Sequence, residues 1–118
     1  MTPHGLRQAD YLSHMVEAAS LAQGYVEGMV KADFLRDKRT QQAVILNIMV
    51  IGEAATKLAD EYPEFVSRFP QVEWKSMRGM RNRLAHGYFD INLDIVWETV
   101  KQALPELESQ LRQIQQAL

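Results

Sequence analysis

Apolar residues recur along the first quarter of the chain at steps of three and four: Leu6, Ala9, Leu12, Met15 or Val16, Ala19, Ala22, Val26 and Met29. That period predicts an amphipathic helix over about residues 5–31. Gly24 and Gly28 fall inside it, four apart, and each costs about 1 kcal/mol relative to alanine in a helix interior. Either another helix approaches closely over them, or they mark a loose helix end. The "KADFLRDKRTQQ" that follows is a charged connector, in which Asp33, Asp37 and Thr40 could each cap the next helix.

A second helix is predicted over about 40–61. Its "AVILNIMVIGEAATKL" is apolar almost all round, the pattern of a buried central helix. Asn47 and Glu53 break that pattern, and burying either without a partner is costly, so each needs a partner or a cleft. Two prolines in "YPEFVSRFPQVEW" end this helix and predict a loop with one short helical turn. The third helix is expected from Trp74 to His86, closed by Gly87 in a left-handed conformation. Asn92 can cap a fourth helix, with Asp94 in its first turn. That helix runs to about 116, kinked near Lys101–Leu104 by Pro105. No strand pattern, repeat or low-complexity tract is visible. The expectation is an all-α, up-and-down helical bundle forming a single domain over 1–118.

Composition narrows the chemistry. The 118 residues suit one domain, and 47% hydrophobic content supports a packed core. The absence of cysteine removes disulfides, thiol nucleophiles and thiolate zinc sites. The start, "MTPHGLRQAD", lacks the basic-then-apolar signature of a secretory signal. The longest apolar stretch is about half a membrane span. A cytoplasmic protein with no membrane partner is expected. A formal net charge of -2 argues against a general nucleic-acid coat protein but leaves room for a local basic site.

Such a site is concentrated in "RGMRNRLAHGYFD", the end of the third helix and the turn after it. Asn82 lies four residues before His86, so the two side chains are neighbours that can hydrogen-bond and orient the imidazole. Arg83, three before His86, lies near the same face. Arg81, five before, sits about 140° round the axis. Arg81 and His86 can address one phosphate only if the helix end distorts or both look into a cleft with another wall. A two-fold dimer of this helix would supply that wall. An arginine beside an oriented histidine suits cleavage of an RNA phosphodiester. Histidine moves the proton of the 2′-hydroxyl or of the leaving 5′-oxygen, and arginine clamps the non-bridging oxygens. The plain alternative is that histidine and arginines favour a helix C-terminus because of the helix dipole. His14 on the first helix and His4 near the terminus lack metal-ligand spacing, and Glu98, Glu106 and Glu108 read as a solvent face.

The stretch "RNRLAHGY" resembles the R-x-x-x-x-H motif of HEPN-domain ribonucleases, with Arg81 and His86 at the matching positions and Asn82 as the polar residue after the arginine. His86-Gly87-Tyr88 resembles the HepT-like branch, the toxin half of HepT/MntA (type VII) toxin–antitoxin systems. "FLRDKRTQQAVILNIMVIGEAATKL" and "VEWKSMRGMRNRLAHGYFDINLDIVWETVKQALPELESQL" extend the likeness to about two-thirds of the chain. The resemblance implies a four- to five-helix bundle working as a homodimer, with the cleft between two copies of the third helix. It implies a metal-independent endoribonuclease acting on RNA with no cofactor, His86 as acid/base and Arg81 as phosphate clamp. Tyr88 would be where a cognate nucleotidyltransferase antitoxin of the MntA kind attaches AMP. That group would add bulk and negative charge two residues from the histidine. A non-catalytic HEPN-like adaptor that binds a nucleotidyltransferase is the alternative. Two expectations come from the residues themselves. Glu53 would reach Arg81 or Arg78 as a charge partner, and Lys75, Arg78 and Arg83 would bind flanking RNA phosphates.

Overall fold

The computed structural model describes residues 7–118, apart from the side chain of Tyr88. His4 therefore lies outside the described residues. The elements are α1 (Gln8–Tyr25), α2 (Lys31–Arg36), α3 (Lys38–Glu61), α4 (Pro63–Ser67), α5 (Trp74–His86), α6 (Leu93–Glu98) and α7 (Leu104–Ala117). A 3-10 turn at Tyr88–Asp90 precedes α6, and a π turn at Thr99–Ala103 joins α6 to α7. No strand occurs among the described residues, so the all-α bundle expected from the sequence is what forms.

The first helix is shorter than its apolar pattern. α1 ends at Tyr25, and Gly28 lies beyond it with φ 81°, in the left-handed region that glycine enters without steric cost. Gly24 and Gly28 have no neighbouring atoms where a β-carbon would sit. They mark a helix end, not a packing groove. The connector contains the short helix α2. Its Phe34 is fully buried, with its ring 5.4 Å from that of Trp97. Of the three candidate caps for α3, Asp37 takes the role. Its carboxylate accepts from the Thr40 backbone N–H at 3.1 Å and from the Thr40 hydroxyl at 2.8 Å. These two bonds hold its carboxyl below the usual carboxylate range.

α3 is the hub. It packs most extensively on α1 and next on α5, while α7 packs on α1. Leu12 and Met15 of α1, Val44, Ile51 and Leu58 of α3, and Leu111 of α7 are fully buried. Burying each such side chain contributes about 1.5–3 kcal/mol. By length and composition α3 could cross a membrane, and here that apolar character serves its central place in the core. It is not buried all round, as its sequence suggested. Leu46 is 60% exposed and Val50 37%. Asn47 is half-buried and satisfied locally, its Nδ2 donating to the Ala43 carbonyl at 2.9 Å.

Two further expectations change. Gly87 closes α5 with φ −132°, which is not left-handed. A β-carbon there would lie 3.2 Å from the Arg83 carbonyl oxygen, so crowding is what the glycine relieves. Asn92 does cap α6, accepting from the backbone N–H groups of Asp94 and Ile95 at 3.0 and 3.2 Å. Pro105 sits in the first turn of α7, and the disturbance expected there takes the form of the π turn just before it. A proline has no N–H to donate to the carbonyl four residues back, so the preceding turn widens.

Candidate active site

The basic stretch falls where expected: α5 ends at His86, and Arg78, Arg81 and Arg83 lie on its last turns. What holds α5 in place is less legible from sequence. Trp74 is buried at its start and donates its indole N–H to the Phe69 carbonyl at 3.0 Å. Further along, α5 presses against α3 at Gly52. A β-carbon built on Gly52 would lie 2.4 Å from Cβ of Arg81 and 2.7 Å from the Met77 carbonyl oxygen, closer than real β-carbons come. Only glycine permits this approach. It brings the backbone of the central helix directly under the arginine.

From that seat the two helices meet along a polar seam. On α3, Glu53, Thr56 and Asp60 lie three and four residues apart and so share one face. On α5, Arg78 and Arg81 are three apart. The pairing runs antiparallel. Arg81 Nη1 donates to Glu53 Oε1 at 3.0 Å and its Nη2 to the Thr56 hydroxyl at 3.3 Å. Arg78 Nη2 donates to Asp60 Oδ1 at 2.7 Å and its Nε to the same Thr56 hydroxyl at 3.4 Å. The Thr56 hydroxyl in turn donates to the Gly52 carbonyl at 2.8 Å. Glu53 thus finds the partner its position demanded, and that partner is Arg81, not Arg78. The Glu53 carboxylate is not the buried one the sequence suggested: its side chain is 51% exposed, against 27% for Arg81. A pair this open to solvent contributes about 0–1 kcal/mol. Its consequence is geometric, in that the guanidinium is held in one place. The Nε of Arg81 is buried and has no acceptor among the described residues. An unsatisfied buried donor costs about 1–3 kcal/mol. Departures of this kind concentrate where a site is built for something other than stability.

The other half of the motif is left open. His86 and Asn82 are both exposed, and no hydrogen bond joins them among the described residues. The orienting contact that the four-residue spacing allowed is not made. Among the described residues the Arg83 guanidinium donates to the sulfur of Met80, at 3.8 Å, and to no carboxylate, and Lys75 is exposed at the start of α5. Arg83 and Arg78 diverge. Arg83 lines an apolar cleft of about 390 Å³ between α5 and the C-terminal helices, whereas Arg78 and Lys75 border a second one of about 350 Å³ beside Trp74. The three cations expected to grip RNA therefore do not form one patch. The backbone of Tyr88 opens the 3-10 turn after α5, and its side chain lies outside the described residues. Phe89, next to it, is 86% exposed. His14 is exposed on α1, while Glu108 is partly buried and ties Gln23 (2.8 Å) to Arg112 (2.8 Å), unlike the exposed Glu98 and Glu106.

Gly52, Thr56 and Asp60 were missed from sequence. Their only signal is that Thr56 and Asp60 continue, at helical spacing, the polar face that Glu53 begins within an apolar run.

The site is thus an all-α bundle with an arginine seated on its central helix and an exposed histidine five residues on. The family model for "Ribonuclease HepT-like" matches residues 15–114, and the chain belongs to that family. It is 37% identical over 106 residues to "Putative RNase TTE0752" of Caldanaerobacter subterraneus subsp. tengcongensis, covering 90% of this chain and 92% of that protein. It is 33% identical over 105 residues to "Probable ribonuclease HepT" of Thermococcus cleftensis, covering 89% and 93%. No solved structure matches the chain.

Proposed function

We propose that this protein is a metal-independent endoribonuclease and the toxin of a type VII toxin–antitoxin pair, acting in the cytoplasm. The observation that carries this reading is the seating of Arg81. A guanidinium fixed across the α3–α5 seam, with N–H donors to spare, is what clamping a phosphate requires. His86, exposed at the end of the same helix, is free to meet a substrate. In the proposed step His86 accepts the proton of the RNA 2′-hydroxyl. The 2′-oxygen bonds to phosphorus and the P–O5′ bond breaks. A proton passes to the departing 5′-oxygen, leaving a 2′,3′-cyclic phosphate. Arg81 balances the charge that gathers on the non-bridging oxygens.

A second copy of the chain completes the site in this reading. Leu46, Val50 and Glu53 are spaced four and three apart on α3, so the exposed apolar stripe leads directly to the carboxylate that holds Arg81. Leu46 also borders a groove of about 570 Å³ with Phe89 and Ile91, beside the turn that follows His86. A homodimer packed here would cover the stripe and bring two such helix ends toward one cleft. Tyr88 is proposed as the residue that a cognate nucleotidyltransferase antitoxin modifies with AMP, which would repel RNA from that cleft.

The test is cleavage of total cellular RNA by purified protein in EDTA, beside His86→Ala and Arg81→Ala. The reading expects cutting by the wild type only, with all three folded. Intact mass identifies protein already carrying AMP. Unmodified wild-type protein that leaves RNA intact would overturn the proposal.

A further inference from the structure

Arg78 and Arg81 converge on one neutral atom. A threonine hydroxyl has one proton to donate and two lone pairs with which to accept. At Thr56 all three are used: the proton goes to the Gly52 carbonyl, and the lone pairs receive Arg78 Nε and Arg81 Nη2. A threonine within a helix commonly turns its hydroxyl back to the carbonyl four residues earlier. Here that ordinary habit fixes the direction of both lone pairs, and they face α5. Gly52 contributes twice, supplying the carbonyl and, by lacking a β-carbon, letting α5 come close enough for the hydroxyl to be reached. The arginines' charged partners are different in kind. Glu53 and Asp60 are 51% and 62% exposed, so water and salt compete for them. A phosphate arriving at either guanidinium competes with the carboxylates directly but does not compete with a neutral hydroxyl for charge.

We infer that Thr56 is a positioning residue that holds Arg78 and Arg81 as one two-guanidinium phosphate site while their carboxylate partners give way to RNA. Thr56 does not touch substrate. It acts by keeping two cations at a fixed spacing, three residues apart on α5, so that one serves the scissile phosphate and the other a neighbouring one. The bonds of 3.3 and 3.4 Å are longer than the usual 2.9–3.0 Å or so for N–H to oxygen. Hydrogen bonds of catalytic groups are often long in the free enzyme and tighten when substrate arrives. The inference rests on the ribonuclease reading for its consequence, but its geometry can be tested apart from it.

Thr56→Val keeps the shape of the side chain and removes the hydroxyl. Thr56→Ala removes it with a residue that favours helix, and Thr56→Ser restores it. On a short RNA, kcat for Thr56→Val and Thr56→Ala should fall about ten- to a hundred-fold, the range for losing hydrogen bonds to charged groups. KM should stay within about three-fold, because both charges remain, and Thr56→Ser should recover most of kcat. Wild-type kcat in both hydroxyl-free variants, or a Thr56→Ser protein as impaired as Thr56→Val, would overturn the inference. The second readout needs no activity. In nitrogen-15 spectra, the guanidinium signals of Arg78 and Arg81 should report restricted rotation in wild type and Thr56→Ser. They should broaden or average in Thr56→Val. If the wild type is inert on RNA, the ribonuclease reading fails by itself, and unchanged arginine signals in Thr56→Val would then sink the positioning role as well.

Discussion

Arg81 and His86 belong to one helix, five residues apart, and the fold treats them in opposite ways. Arg81 is pressed onto Gly52, tied to Glu53 and Thr56, and mostly covered. His86 is exposed, and Asn82 one turn back does not reach it. The difference follows from which neighbour each helix segment has. The middle of α5 is bonded to α3 through Arg78 and Arg81, whereas among the described residues no side-chain hydrogen bond ties His86 at the helix end. The lesson is a division of labour. A single chain can fix a charge clamp using its own core helix, but a residue at a helix end is oriented only by whatever meets it there.

The sharpest way to break the comparison is at its two ends. His86→Ala should cut RNA cleavage by about 10²–10⁴-fold while leaving stability within about 0.5 kcal/mol, as read by a kinetic assay and a melting curve on one preparation. An equally large loss of stability would show that His86 is tied after all. Next comes Gly52→Ala. Its methyl group would collide with Cβ of Arg81 and the Met77 carbonyl. Overpacking of that kind costs about 1–3 kcal/mol, and activity should drop because the clamp shifts with α5. Denaturant unfolding measures the first effect and RNA cleavage the second. A Gly52→Ala protein of wild-type stability would mean that the seam is looser than the structure has it.

Leu46→Lys tests the open side. It should leave the helical content of the protomer unchanged, shift sedimentation toward the monomer and reduce cleavage in step. Full activity in a monomeric Leu46→Lys protein would show that His86 needs no second copy. The smallest effect sharpens the baseline. The Asp37 carboxyl titrates below its unfolded value of about 3.9 because it accepts from the Thr40 N–H and then from the Thr40 hydroxyl. A depressed folded pKa means its stabilisation is complete above about pH 4 and is lost as pH falls through the folded value. Asp37→Asn keeps an acceptor but not the charge. It should lower stability slightly in the neutral region and leave the acid region nearly unchanged, so that the acid limb of the stability profile flattens. An unaltered acid limb would show that the cap is not formed in solution.

Much of the fold was legible because it follows local rules. The bounds of α5, the Asn92 cap and the break after Glu61 all come from residue types acting within a few positions of themselves. Each departure has its own physical cause. The first helix reads too long because Val26 and Met29 keep its apolar rhythm after the helix has ended at Tyr25, on either side of the turn at Gly28. The second reads as buried all round because composition cannot say which side of an apolar helix stays uncovered, and Leu46 and Val50 are on that side. Among site residues, Glu53 was readable as a carboxylate needing a partner. Thr56 and Gly52 were not, because a threonine and a glycine in a helix carry no signal until the opposing helix is known.

Sequence alone determined that this chain would be an all-α bundle with a cationic helix end, since helical period, caps and prolines act over one or two turns. It also determined the motif itself, Arg81 and His86 with Tyr88 after them. Only the tertiary structure decided which of these would be held. The antiparallel approach of α3 and α5 joins residues 28 and 25 positions apart in the chain, Arg81 with Glu53 and with Thr56. No local rule relates such distant residues. Their meeting is set by how closely two helices can pack, and here that distance is set by a glycine.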